Sequence, residues 1–271
     1  MNRGLLLKSL YEVWLISALF AVALMIVEAL LGYVLPTFAE QFSSIWTDLP
    51  FIKNILRALL GVDVGDQIGP EVFASIAWVH PVVLTIIAAH ATIVATRVPV
   101  GEIDRATIDV LLGLPVSRWG LYRAELAMFL ASGVLLIALA LVGNRIGSLL
   151  LAKPMPFQAK STFIVIANLF CLYIAAGGLA WLISSLSERR GKAIAIVFSI
   201  LLASFLLSFL AEFWEPAQTI SFLSILTYYQ PLIAIRQEQW PLSHMAVLLI
   251  LGATMWTAGG ICFARRDICT V

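Results

Sequence analysis

Glu102, Asp104, Arg105 and Asp109 put four charges within eight positions of a chain that is 61% hydrophobic and only 12% charged. Glu102 with Arg105, and Arg105 with Asp109, have the spacing of ion pairs along a helix. Between them, Ile103, Ala106, Thr107, Val110, Leu111 and Leu114 follow the i, i+3, i+4, i+7 pattern of one apolar face. Pro99 precedes this run and Pro115 closes it. The spacing predicts one amphipathic helix over Gly101–Leu114, about 14 residues and roughly 21 Å long. That is too short and too charged to cross a bilayer. Helices that float on anionic lipid carry lysine and arginine on their polar face. This one is net acidic, so its chemistry fits recognition by a groove on a protein partner.

Other candidate groups offer less. There is no Gly-x4-Gly-Lys-Ser/Thr phosphate loop. His80 and His90 are ten residues apart, a turn of about 280° on a helix, so they face different directions and make no metal pair. Ser184 and Ser185 have no base near them in sequence, and nothing else forms a catalytic constellation. The chain is therefore not expected to be an enzyme by itself. Glu28 is an ionisable group inside an apolar block, the kind of residue that defaults to a functional role. Three roles fit it: lining a central cavity against a polar or cationic part of a cargo, hydrogen bonding between helices, or reaching outward to the interface. Asn168 reads as a polar link between helices. Cys171, Cys262 and Cys269 have neither metal nor disulfide spacing. A net charge of +1 gives no basic face for nucleic acid.

The elements that position these groups are hydrophobic blocks. About 20 apolar residues cross the hydrocarbon core, and six blocks qualify: Val13–Leu35, Val72–Thr96, Ala124–Val142, Thr162–Leu186, Ala193–Ala211 and Leu242–Ala264. The class is an all-α integral membrane protein with a single transmembrane domain over residues 1–271. The first block is too long for a signal peptide and reads as a retained span. With the N-terminus in the cytosol, the inner segments hold Arg3, Lys8, Arg97, Arg105, Arg118, Arg123, Arg189, Arg190, Lys192, Arg265 and Arg266. The outer segments hold the smaller set Lys53, Arg57, Arg145, Lys153, Lys160 and Arg236. That bias predicts both termini in the cytosol and the charged helix with them, between spans two and three.

Residues 219–235 are apolar but contain Pro231. They read as an outer re-entrant element between spans five and six, with Trp214 and Trp240 as interface anchors. In the outer loop Pro36–Glu71, Ile52, Ile55, Leu56 and Leu59 share a helical face. That helix fits either an outer membrane surface or a packed loop. Gly177-Gly178, Ala258-Gly259-Gly260 and Ser204-x3-Ser208 allow close helix contact, and Pro81 predicts a kink in the second span. A cavity between spans one, two and five would be largely apolar, with Ser199, Ser204 and Ser208 as polar points.

Glu102-x-Asp-x-Ala-Thr107-Ile-Asp-x-Leu-Leu112-x-x-Pro115-Val-Ser-Arg118 resembles the first cytosolic loop of permeases of the second ABC exporter superfamily. The usual pattern there is Glu, Gly-Thr, Leu-Leu and Pro-(Val/Ile)-Ser/Thr-Arg, so Ala106 stands where glycine is usual, a departure expected to keep the helix. Phe263-Ala-Arg-Arg-Asp267 is similar to the family's tail. Within the family, the loop resembles the branch associated with multicopper-enzyme maturation. The resemblance implies a permease in the cell's inner membrane that pairs with a second copy. Each copy would dock a separate ABC ATP-binding subunit that carries ATP and Mg, with no cofactor on this chain, and outer-face accessory proteins would complete the set. Glu102, Ile103, Arg105, Thr107, Val110, Leu111, Leu114, Pro115 and Arg118 would then form the coupling element. From a different class, a non-transporting membrane scaffold that anchors an ATPase and regulates an enzyme fits the same residues.

Overall fold

The computed structural model describes residues 3–48, 50–62, 69–113, 115–151 and 158–267. The expectation for Leu114 falls outside them, as does Cys269. Among the described residues there is helix and turn but no strand. Six helices are long and apolar enough to cross a membrane, as the apolar blocks require, which makes this a multi-pass membrane protein.

The first span belongs to α1 (Arg3–Asp48), which begins ten residues before the apolar block and runs through Pro36 into what the sequence offered as loop. A short helix α2 (Pro50–Leu60) follows. Leu56 and Leu60 are buried in the main core while Ile55 stays exposed, so α2 is a packed helix rather than one lying flat on a surface. The second span is made of α3 (Pro70–Val79) and α4 (Pro81–Ala95), broken where Pro81 predicts a kink. His80 sits at that break and its Nδ1 accepts the Val82 amide at 3.3 Å, satisfying a donor that the start of α4 leaves free.

After a short charged loop come α7 (Arg118–Leu149), α8 (Ala159–Leu186) and α9 (Arg190–Ala211), the third to fifth spans. Between α9 and the last span, α12 (Leu242–Arg265), the chain folds back through α10 (Glu215–Ile220), two 3-10 turns and α11 (Pro231–Gln237). This segment is tied into the bundle. Ser224 Oγ lies 2.8 Å from Ser204 Oγ and 2.7 Å from Ser208 Oγ. Asn168 Nδ2 donates to the Tyr228 carbonyl at 3.3 Å, and the Tyr229 hydroxyl to that of Trp78 at 3.3 Å. Trp214 and Trp240 are exposed.

Two glycine seams set the bundle. In the first, a Cβ on Gly143 would stand 2.0 Å from the Met25 carbonyl oxygen, and one on Gly147 2.0 Å from that of Ala29. Only glycine lets α1 and α7 approach this closely. The second joins α8 to α12, where a Cβ on Gly178 would stand 2.8 Å from the Gly252 carbonyl oxygen and one on Gly259 2.5 Å from the Trp181 ring. At mid-bundle a polar cluster is enclosed. His90 Nε2 is 3.0 Å from Ser17 Oγ, His90 Nδ1 is 3.1 Å from the Tyr173 hydroxyl, and that hydroxyl donates to the Phe129 carbonyl at 3.2 Å. With both ring nitrogens engaged, His90 links three spans instead of standing unpaired in an apolar interior.

Candidate functional site

The charged segment is not one helix. It consists of α5 (Val100–Asp104), a turn, and α6 (Ile108–Leu112). The break is at Ala106, whose φ of +54° lies in the left-handed region. A side chain there crowds the following carbonyl, at a cost of roughly 1–2 kcal/mol. Glycine, with no Cβ, tolerates that conformation. The Ala106 and Thr107 amides donate to the Ile103 and Glu102 carbonyls at 3.0 Å each, closing the turn.

The break resets the register, and the expected apolar face dissolves with it. Ile108 and Leu111 turn inward and are buried, with Ile103 and Leu112 partly covered, while Val110 is 74% exposed. Ala106 and Thr107 are exposed too. Ile108 and Leu111 join Leu5, Val98, Leu121, Ala124 and Phe263 in a small core separate from the main one. That core fastens the segment to α1, α7 and α12. Gly101 fits close beneath α9: a Cβ there would come 3.3 Å from the Arg190 Cδ. The Val100 amide donates to Ser184 Oγ at 3.3 Å.

A charge network locks the segment from the side. Lys8 Nζ donates to Glu102 Oε1 at 2.9 Å and pairs with Glu12 at 2.9 Å. Thr107 Oγ1 donates to Glu102 Oε2. Arg97 bridges Glu12 of α1 and Glu125 of α7, and Ser9 Oγ donates to Glu125 Oε1 at 2.6 Å. Glu102 is thus held to α1 rather than to Arg105, its expected ion-pair partner. Burial pushes the Glu102 carboxyl up. The Thr107 and Lys8 hydrogen bonds, with the Lys8 and Arg97 charges, outweigh this and hold it below the usual carboxylate range.

The stretch at Arg118 and the tail from Phe263 to Asp267 meet in space. Arg118 Nη1 donates to the Phe263 carbonyl at 3.1 Å and to the Arg266 carbonyl, with its guanidinium 5.9 Å from the Phe263 ring centre. Arg266 Nη1 in turn donates to the Ser185 and Ser187 carbonyls at 3.0 and 2.8 Å, and Arg190 Nη2 to that of Ile93 at 3.0 Å. Each arginine caps a helix C-terminus, where the last carbonyls lack partners and the dipole favours a cation. Pro115 is exposed just before Ser117, whose Oγ accepts the Gly120 amide at 3.0 Å and starts α7. The outside of the loop presents Asp104, Arg105, Asp109 and Val110, with Ala106 and Thr107 between them, a mixed charged and apolar surface.

The other candidates are dispersed. Glu28 is fully buried on the α1–α7 seam, where Asn144 Nδ2 donates to its Oε2 at 2.9 Å while Oε1 has no partner among the described residues. It lies outside the cavities that Ser199 and Ser208 line, packed within the glycine seam. Ser199 does line a cleft of about 470 Å³, walled by α4, α8 and α9 and not by the first span. Ser204 does not reach that cleft, its hydroxyl being used by Ser224 and the Ile225 amide; Ser208 lines the neighbouring pocket instead. Cys171 and Cys262 are free thiols. No group of metal-ligating side chains occurs among the described residues.

Sequence reasoning missed Lys8, Glu12, Arg97 and Glu125 as a unit, and missed Ile108. Glu125 carries the one available signal, a carboxylate just inside an apolar block, which in that position calls for a cationic partner. No family model matches the chain, and no curated protein or solved structure matches it either.

Proposed function

We propose that this chain is the transmembrane subunit of an ATP-driven exporter, and that the α5–α6 loop receives the motion of a separate ATP-binding subunit. The observation that carries the reading is the loop's construction. Its outer surface presents Asp104, Arg105, Asp109 and Val110 to a partner, while its inner surface is fastened by Ile108, Leu111 and the Lys8–Glu102 bond. A push on such a loop moves the ends of α1, α4 and α7 together, because each is bonded to it or to its neighbours. A freely floating surface helix would need none of these ties.

In this reading the loop and both chain ends lie in the cytosol, following the lysine and arginine bias. The segment between α9 and α12 is the outer re-entrant element, and two copies pair in the inner membrane, each with its ATP-binding subunit. ATP and Mg belong to that partner.

The test is coupling in the complex purified with its ATP-binding subunit. Val110→Asp and Arg105→Glu are expected to keep the subunits together while cutting cargo-stimulated ATP hydrolysis about tenfold, roughly 1.4 kcal/mol of lost coupling. Normal stimulation in both variants rejects the loop as coupler. Assembly with ATP hydrolysis that no candidate cargo alters, and no movement of any cargo, favours a membrane scaffold instead.

A further inference from the structure

The second and fifth spans leave a gap between them. The cleft of about 470 Å³ lies there, with Leu84 and Ala88 of α4 on one wall, Leu202 of α9 on the other, and Leu172 of α8 behind. Among the described residues, Thr85 and Ser199 supply its hydroxyls. Toward the C-terminal end of α9 it adjoins a second pocket of about 150 Å³ that shares Leu84, Phe205 and Leu226 with it. There the lining changes character. Glu212, Gln218, Ser221 and Gln230 face the space, and no lysine or arginine does among the described residues. Gln218 is exposed and Gln230 half-buried, so their side-chain amides are open to a ligand. Glu212 is already neutralised by Arg57 at 2.7 Å.

Apolar trough and polar pocket together fall in the size range of small-molecule sites, about 300–1,000 Å³. From Ser199 to Glu212 the site follows about 20 Å of helix. That is shorter than the roughly 30 Å hydrocarbon core, so it reaches from the polar pocket part-way across. We infer that the two cavities form one site for a single-chain amphiphile, its chain in the α4–α9 cleft and its uncharged, hydroxyl- or amide-bearing head against Gln218 and Gln230. With Glu212 already paired to Arg57, the described lining offers an anionic head no free cation. Open amides at the end of an apolar trough suit a ligand that is polar at one end only, since an apolar end placed there would desolvate them without a partner. A second copy is a poorer fit. The exposed face of α9 is the apolar stripe Ile200, Leu202, Leu206 and Leu210, of which Leu202 also edges the cleft, and pressing such a face here would cover both amides without giving them a partner. The site depends on the transport reading for its use as a cargo site, but not for binding.

The experiment uses the full chain in phosphatidylcholine nanodiscs with a diazirine-bearing monoacylglycerol as photoprobe. Labelling is expected to saturate and to map to residues 81–88 and 198–205. Unlabelled monoacylglycerol should displace it, and anionic lysophosphatidate should do so at least about tenfold less well. Ser199→Trp should fill the cleft and abolish the saturable part, while Leu206→Trp, on the exposed face, keeps it. The milder Gln218→Leu/Gln230→Leu pair, which leaves the cleft intact, should erase the preference over lysophosphatidate. Labelling that rises linearly with probe and spreads to Leu206 and Leu210 means bulk lipid only and overturns the site. Equal displacement by lysophosphatidate overturns the head assignment. Efficient disulfide formation between two copies of Ser199→Cys, without labelling, makes the cleft a copy interface. Saturable labelling in a complex that never couples ATP hydrolysis to transport keeps the site and rejects the exporter.

Discussion

Lys8 and Glu102, 94 residues apart, meet at 2.9 Å and join the start of the first span to the loop after the second. Glu102 is nearly buried and also bonded by Thr107, whereas Lys8 is half-exposed and shared with Glu12. Removing Lys8 leaves a carboxylate with one neutral donor. Lys8→Glu and Glu102→Lys are each expected to destabilise the protein by about 1–3 kcal/mol, since a charge left unpaired under partial burial keeps its desolvation cost. The double exchange should recover at least about half of the loss as a coupling energy. Thermal unfolding of the four proteins in one detergent measures the cycle, and strict additivity would remove the bond from the account.

At Ala106 the chain takes a conformation that glycine adopts freely. Ala106→Gly is expected to stabilise by about 1 kcal/mol, a rise in Tm of roughly 2–4 °C for a chain of this size. Ala106→Val should lower Tm by more than that, because a β-branched residue is a genuine outlier at positive φ. If the loop were a continuous helix, the order would reverse, with glycine the destabilising change. Paired melting curves decide between the two.

The Glu102 carboxyl is held below its usual range by Thr107, Lys8 and Arg97 despite burial. In the unfolded chain it titrates near about 4.3. A folded value below the unfolded one gives stability that is full above the unfolded value and lost as pH falls through the folded value. The Tm advantage of the wild type over Glu102→Gln should therefore be constant from about pH 7 to 6 and shrink below about pH 4.5. An advantage that grows on acidification would contradict the sign.

Gly143 leaves no room for a methyl group, because its Cβ position lies 2.0 Å from the Met25 carbonyl oxygen, a backbone atom that cannot swing aside. Gly143→Ala must push α1 and α7 apart and pull Asn144 from Glu28. We expect a loss of at least about 3 kcal/mol, with most of the protein failing to elute as a folded species in size-exclusion chromatography. Gly191, with nothing within 4 Å of its Cβ position, is the control that tolerates alanine.

The six spans were legible because membrane helices announce themselves by length and apolarity, and Pro81 announced its break. The Gly143-x3-Gly147 seam carries a sequence signal too, but Asn144 and Arg145 between the glycines make the stretch look like a block end. The break at Ala106 was not legible: alanine is the strongest helix former, and the apolar spacing runs unbroken across it. What overrides propensity is tertiary, the burial of Ile108 and Leu111 beside Leu5 and Phe263. The charge network was equally hidden, since Arg97 finds Glu12 and Ser9 finds Glu125 only once the spans are arranged. Glu28 was recognised as unusual, but its neighbour Asn144 decides what it does, and that neighbour is 116 residues away.

The central proposal, that the exposed face of the loop docks an ATP-binding subunit, is tested most directly by placing a photoreactive residue at Val110. In the assembled complex, Val110→p-benzoylphenylalanine is expected to crosslink to the ATP-binding subunit, with a yield that changes when ATP is added. The same residue at Leu223, an exposed side chain of the segment between α9 and α12, should give no such adduct. A complex that assembles normally but crosslinks from Leu223 and not from Val110 would contradict the account.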